Sequence, residues 1–434
     1  MYHGTSIAVM ASYALPSDVP RYIINLDAPA ATRWDAVATD FADRIPAVFA
    51  EVDDVLTEMV GATASKAGQG LLSLMARIGL VMYADELKGL SRATSVPLGK
   101  LVMLQIAYEA FASCTSIVAP GAPTTAGALA SSPVMIRTMD WEMEELKALA
   151  IEAHFQRGGR TVFVATTWAG YVGVLTGMKM SHGGGTGAWA ASINYRRTAD
   201  GTFAQNFIKG AQSSWPIGFL LRAAMEDDTT MSYADAVLTL SASALMAPTY
   251  ITLAGASPGE GAVLVRDRDG VASTVGAAPS GSDAAARGST RSASGGLPRR
   301  ADLKRDGFVV QCNMDPDRAA AVDVESDWQD ICESRRRFAV ASAALSTSIA
   351  LGGGGTTLDA LWSIATLPPV HAHDTVYTVA IDPARGAYVS RASIPPSAVR
   401  KARRRWRAVQ MGAERQLDAA LRASGAAGSA ATRQ

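Results

Sequence analysis

LVMLQIAYEAFASCTSIVAP, residues 101–120, changes character at its middle. Its first half, 101–111, is almost wholly apolar and holds no Gly or Pro, which predicts a buried helix. CTSIVA, 114–119, is short, apolar and rich in β-branched residues, which predicts a buried strand. Cys114 opens that strand.

Upstream of this point the chain reads as helical. Residues 35–60 form an acidic amphipathic stretch interrupted by Pro46. Residues 70–90 are predicted as one apolar helix, with Leu71, Leu74, Met75, Ile78, Val81 and Met82 at helical spacing. Downstream, a Pro/Gly/Ala/Ser loop (120–133) leads into VMIRTMDW (134–141), TVFVATTWAGYVGVLTGM (161–178) and GAWAASINYRR (187–197). These read as successive strands joined by glycine-rich turns. Helices are predicted at 216–226 and 232–245, and strands at 250–253, 262–266 and 308–312. The uncharged run 338–358 reads as helix, glycine loop and helix. TVYTVAIDPARGAYVSR (375–391) reads as a hairpin turning at 383–386. Helices first, then strand pairs alternating with helix pairs, predict a layered α+β domain rather than a βαβ repeat.

Two segments stand apart. Residues 275–300, rich in Ser, Gly, Ala and Arg, read as a disordered insertion. Residues 395–434 read as a basic helix, with six Lys and Arg around Trp406, and a small-residue tail. That cluster is read as a solvated face rather than an anionic-lipid or nucleic-acid contact.

Composition narrows the function. The 434 residues are 48% hydrophobic and 18% charged, with zero formal net charge, so nothing draws the whole chain toward polyanions. The three cysteines, Cys114, Cys312 and Cys332, cannot all pair, so a disulfide framework is excluded and at least one thiol is free. The run MYHGTSIAVMASYALPSD has no Lys or Arg ahead of its apolar part and reads as a poor secretory signal. His371 and His373 lack the further ligands a metal site needs. GGGTG (183–187) has neither lysine nor strand-to-helix context and reads as a turn. There is no G-x-S-x-G elbow and no phosphate loop. His154 has nothing to mark it as the partner of a cysteine. A nucleophile can dispense with histidine if it stands at a new N-terminus, where its own α-amine, with a pKa of roughly 7.7–8.0, serves as base.

CTSIVA (114–119) followed by RTMDW (137–141) resembles the acid ceramidase and N-acylethanolamine acid amidase family. The likeness continues through FQRGGRTVFVATTWAGYVGVLTGMK (155–179), WPIGFLLR (215–222), APTYITLAG (247–255) and GEGAVLVRDRDG (259–270). YIINLDAPAATRW (22–34) is similar to the family's start and TVYTVAID (375–382) to its end. The aromatic-glycine stretch is nearer to the acid ceramidases.

The resemblance implies a four-layer αββα N-terminal-nucleophile hydrolase fold preceded by a helical segment, with no cofactor. It implies self-cleavage between Ser113 and Cys114, giving a helical α chain (1–113) and a catalytic β chain (114–394) that carries the 275–300 insertion, with 395–434 as a tail. Cys114 would be the nucleophile, Asp140 would orient its ammonium, Arg137 would position neighbours, and Asn313 would donate to the oxyanion. Arg335 matches a late active-site arginine, with Arg336 and Arg337 as alternative equivalents. Asn194, Tyr195 and Trp168 fall on the substrate side. Tyr195 stands where the family has glutamate, which leaves the local charge network open. No cysteine precedes Cys114, so the two chains would be held by packing alone.

The implied substrate is ceramide or another N-acyl lipid, N-acylethanolamines included. The α chain is expected to meet a lipid surface through the 70–90 helix. The family implies a lysosomal or endomembrane compartment. A non-catalytic lipid-binding relative is the alternative from another class.

Overall fold

The computed structural model describes residues 17–111, 113–122, 132–141, 143–196, 214–268, 270–276, 307–314 and 328–392. The terminal tail and the 275–300 insertion, apart from residues 275 and 276, lie outside them. Asp18–Ala392 form one compact unit.

Its strands are β1 (Ser17–Asp18), β2 (Arg21–Asn25), β3 (Ser113–Pro120), β4 (Pro133–Asp140), β5 (Ala150–Arg157), β6 (Arg160–Trp168) and β7 (Thr176–Met180). They continue as β8 (Gly187–Tyr195), β9 (Thr249–Gly255), β10 (Gly261–Arg266), β11 (Val271–Gly276), β12 (Val309–Gln311), β13 (Thr375–Asp382) and β14 (Ala387–Ala392). They make a six-stranded sheet, β1-β14-β13-β4-β3-β12, and an eight-stranded sheet, β11-β10-β9-β8-β7-β6-β5-β2.

The helices are α1 (Asp35–Asp40), α2 (Ile45–Val60), α3 (Ala62–Arg77), α4 (Ala84–Thr94), α5 (Leu98–Phe111), α6 (Ile217–Glu226), α7 (Tyr233–Ala242), α8 (Trp328–Leu351) and α9 (Leu358–Ala365). The sheets pack face to face through β3, β4, β8, β9 and β10. Helices α8 and α9 cover the outer face of the smaller sheet, while α5, α6 and α7 lie against the larger one. The result is a four-layer αββα sandwich. Every residue of β4 is buried, as a strand covered on both faces requires.

Two breaks between helices have local causes. Pro46 sits in the first turn of α2, where its missing N–H costs nothing, so the acidic stretch becomes two helices that meet there. The single helix expected over 70–90 is broken, because Gly79 adopts a positive φ of 79°. Helix α3 therefore ends at Arg77 and α4 starts at Ala84. The break leaves Leu71, Leu74, Ile78 and Leu80 between 49% and 67% exposed, whereas Leu72 and Ala76 turn inward. His154, read as lying before a strand, is within β5.

The segment before Cys114 is tied to the rest by more than apolar packing. Strand β2 runs parallel to β5 and forms the edge of the larger sheet. The buried Glu86 carboxylate of α4 accepts from Arg222 Nη1 and Nη2 of α6 at 2.6 and 2.7 Å. It also accepts from Arg33 Nη1 at 2.9 Å and Trp34 Nε1 at 2.6 Å. On α5, Gln105 accepts from Val172 N at 2.8 Å and donates to Gly170 O at 2.9 Å. Helix α4 can lie this close because Gly89 packs on Ala31. A Cβ there would stand 2.1 Å from the Ala31 carbonyl oxygen. The packing between the two parts thus includes a buried ion pair and a shared sheet. No helix among the described residues is long and apolar enough to cross a membrane.

Candidate active site at Cys114

Cys114 is the second residue of β3 and is fully buried. Its backbone pairs with Met139 of β4, and Ser113 pairs with Asp140. The motifs at 114–119 and 137–141 thus become neighbouring antiparallel strands, which carries Arg137 and Asp140 to the junction ahead of Cys114.

Three groups of atoms on Cys114 are held by different elements. Arg137 Nη2 donates to Sγ at 2.9 Å. The same guanidinium donates to Ile193 O at 3.0 Å and to the Tyr377 hydroxyl at 2.6 Å, so one planar fork joins β4, β8 and β13. The backbone N–H of Cys114 donates to Asn313 Oδ1 at 2.6 Å. The Cys114 carbonyl accepts from Arg337 Nη1 at 2.6 Å and from Asn194 Nδ2 at 3.3 Å.

Asn194 is itself locked. Its Nδ2 also donates to Gln311 O at 2.8 Å, and its Oδ1 accepts from Ser116 at 2.7 Å. Asn313 Nδ2 donates to the Tyr195 carbonyl at 2.9 Å. In the uncut chain, then, Asn313 offers its oxygen to Cys114 while its amide nitrogen is engaged with Tyr195. The expected donation to an oxyanion would require that nitrogen to be released.

Of the three candidate arginines, Arg337 donates to the Cys114 carbonyl. On α8 the inward positions are Ser334, Arg337, Ala341 and Leu345, all nearly inaccessible. That is the three-to-four spacing of one helix face. Arg335 is half-buried and Arg336 exposed, each turned about 100° per residue away from that face. Arg337 also donates to Thr115 Oγ1 and Asn313 Oδ1, both at 3.1 Å. Trp168 is buried in the core, with its ring 5.6 Å from Trp141 and 4.7 Å from Tyr171. Tyr195 contributes its carbonyl to the network.

Burial pushes the Asp140 carboxyl up to about 7, and the Asp374 charge adds to that. Arg337, the Thr375 hydroxyl and Arg137 oppose the shift. Thr375 Oγ1 donates to Asp140 Oδ1 at 2.6 Å, and Arg337 Nη1 lies 3.7 Å from Oδ2. Burial also raises the Cys312 thiol and the Tyr377 phenol, so both keep their protons. Thr375, Tyr377, Asp374 and Ser116 escaped the sequence reading. The first two lie in TVYTVAID, whose resemblance to the family's end implies no role for either. A cavity of about 660 Å³ opens at the turn end of β6 and β7, lined in part by His154, Arg160, Met178 and Tyr388, away from the end that holds Cys114.

Two facing sheets between helical layers, with a polar site around a cysteine near the start of an inner strand, make a layered α+β fold. The family described as the beta subunit of N-acylethanolamine-hydrolyzing acid amidase matches residues 17–77, wholly ahead of Cys114. Acid ceramidase of Balaenoptera acutorostrata scammoni is 33% identical over 264 residues, covering 58% of this chain and 64% of that protein. Acid ceramidase of Homo sapiens gives the same figures. A solved structure of the Caenorhabditis elegans N-acylethanolamine-hydrolyzing acid amidase ortholog superposes with a TM-score of 0.44 at 23% identity, covering 62% of this chain and 93% of that one. The chain is thus similar to acid ceramidases over a little more than half its length, and to the N-acylethanolamine-hydrolyzing acid amidase family over residues 17–77. It spans 64% of the length of the curated relatives it matches.

Proposed function

We propose that the chain is a cysteine amidohydrolase that cuts itself between Ser113 and Cys114 and then hydrolyses the N-acyl amide of ceramide or a related N-acyl lipid. The observation that carries this reading is that the N–H, Sγ and carbonyl of Cys114 are each gripped by a separate side chain. A structural cysteine in a sandwich core needs apolar neighbours only. This one sits among two arginines and two asparagines.

In the first reaction Cys114 Sγ adds to the Ser113 carbonyl carbon and the C–N bond breaks. The thiol proton ends on the departing nitrogen, which becomes the Cys114 α-amine. Water then releases Ser113 as a carboxylate and restores the thiol. Asn313 Oδ1 already accepts from this nitrogen, so the new amine is held where it forms. In the second reaction the amine takes the thiol proton as Sγ attacks the lipid amide, then passes it to the leaving sphingoid or other amine. The acyl group waits as a thioester until water removes it. Arg137 keeps the sulfur in one rotamer through both reactions.

The proposed lipid contact is the exposed row Leu71, Leu74, Ile78 and Leu80. The relatives named acid ceramidase support ceramide as the first substrate to assay.

The test is the intact mass, under denaturing conditions, of wild type and Cys114→Ala after incubation from acidic to neutral pH, followed by assay on ceramide and on N-acylethanolamine. Two fragments meeting at Ser113–Cys114 in wild type alone, with amide hydrolysis by the cut form, is the expected result. An uncut wild type that binds lipid without hydrolysing it would replace the enzyme with a lipid-binding protein.

A further inference from the structure

Tyr377 owes its place to an irregularity in the β4–β13 ladder. Thr375 pairs with Asp140 and Tyr377 pairs with Met139, so two steps along β13 match one step along β4. Successive residues of a strand point to opposite faces. The extra residue, Val376, therefore lets Thr375 bond Asp140 on the side of α8 while Tyr377 enters the core between the sheets. Met139 also pairs with Cys114. Cys114, Met139 and Tyr377 thus form one row across β3, β4 and β13, the first and last on strands about 10 Å apart. Arg137, two residues before Met139 and on the same face, reaches into that row and spans it.

The span is defined at both ends. Nη2 donates to Cys114 Sγ at 2.9 Å and to Ile193 O at 3.0 Å, and Nη1 donates to the Tyr377 hydroxyl at 2.6 Å. The guanidinium carbon lies 5.2 Å from the centre of the Tyr377 ring. Having accepted from Arg137, the phenol has its own proton for Thr176 Oγ1, 3.3 Å away on β7 of the other sheet. Tyr377 is inaccessible to solvent, and burial keeps that proton in place. We propose that Tyr377 is a positioning residue: its hydroxyl, braced by Thr176, holds the Arg137 guanidinium in the plane that presents Nη2 to Cys114 Sγ, and so sets the rates of self-cleavage and of amide hydrolysis. The proposal rests on the reading of Cys114 as nucleophile given above and adds to it a residue that reading does not use.

A guanidinium is planar and rigid, so its two ends move together. Turning Nη2 away from the sulfur breaks the bond from Nη1 to the phenol. Ile193 O is bonded to Nη2 itself and leaves the far end of the fork free to swing. Phenylalanine at 377 would keep the ring and its packing and remove only the oxygen. Nη1 would then be a buried donor without that acceptor, which is costly enough to turn the fork toward another one. Nη2 would be carried off the line to Sγ.

The experiment compares wild type, Tyr377→Phe, Arg137→Lys and the double variant as full chains, with cutting followed by intact mass. Tyr377→Phe is expected to slow cutting by about 10- to 100-fold, the scale of a slightly displaced reacting group. In the Arg137→Lys background the same substitution should cost less than about 3-fold, because the residue through which it acts is gone. In the cut protein the loss should fall on kcat for a short-chain ceramide and leave KM in place. Cutting at the wild-type rate in Tyr377→Phe, an equal loss in both backgrounds, or a loss carried by KM overturns the proposal and leaves self-cleavage standing. If Tyr377→Phe does not fold, judged by urea unfolding in the Cys114→Ala chain, Thr176→Val takes its place. That chain should cut more slowly by about 3-fold or more, while Thr176→Ser keeps the wild-type rate; an unchanged Thr176→Val overturns the proposal. If wild type is never cut, the self-cleavage reading fails by itself. The positioning is then read from crystal structures of wild type and Tyr377→Phe, in which Nη2 should leave hydrogen-bonding distance of Sγ. A guanidinium that stays in place overturns it.

Discussion

Arg137 is the residue on which the site converges. It touches the sulfur, a backbone carbonyl of the opposite sheet and a tyrosine of the next strand. A lysine has no planar fork and cannot serve three partners on diverging elements. Arg137→Lys is therefore expected to lower the rates of cutting and of amide hydrolysis by about 100-fold or more, the scale of losing one preorganised donor. Single-turnover kinetics followed by mass would measure it. A paired comparison separates the neighbouring arginines of α8. Arg337→Ala should stop or severely slow cutting, because the Cys114 carbonyl loses its nearest donor. Arg335→Ala, altering a half-buried position off the inward face, should leave cutting in place. The reverse outcome would return the role to Arg335.

At the scale of elements, α4 and α6 are joined by a charge pair with no access to water. Glu86→Ala strands Arg222 in the core and is expected to cost about 3–5 kcal/mol, read from urea unfolding of the Cys114→Ala chain. Burial pushes the Glu86 carboxyl up, but the Arg222 charge and the bonds from Arg222, Trp34 and Arg33 carry it below the usual carboxylate value. Its contribution is thus present above the unfolded carboxylate range and is lost as pH falls through the folded value. Asp140 behaves in the opposite sense. Its raised carboxyl contributes fully below about 3.8 and loses that contribution as pH rises through about 7. Stability should therefore rise with pH in the acid range through Glu86 and fall toward neutrality through Asp140. The exposed face of α3 makes a separate prediction. Leu74→Glu with Ile78→Glu changes solvent-facing positions, so thermal stability should shift little. Hydrolysis of substrate carried in vesicles should drop, with hydrolysis of a short-chain dispersed substrate retained.

For the whole molecule, the site joins β3, β4, β8 and β13 with α8 and Asn313, so its geometry depends on the sandwich being closed. Residues 1–113 contain no cysteine, yet β2, the Glu86–Arg222 pair and Gln105 bind that segment to the remainder. After cutting, the fragments are expected to separate under denaturing, non-reducing conditions and to elute together by native size exclusion. Separate native elution would mean that these links are too weak without the peptide bond.

The amino-acid sequence by itself determined the succession of elements, the strand headed by Cys114 and the glycine turns, because hydrophobic period, Pro and Gly act within a few residues. It also carried the family motifs, and with them Cys114, Arg137, Asp140, Asn194 and Asn313, which the fold gathers from positions 199 residues apart at the Cys114–Asn313 bond. It left open which of three arginines points inward, since that depends on the phase of α8 against the sheet. It also missed Gly79 as a helix break. Only the tertiary structure joined Glu86 to Arg222 and Arg337 to the Cys114 carbonyl. Those partners meet through strand order and helix packing, and the burial that keeps each pair from water exists only once distant segments have packed together.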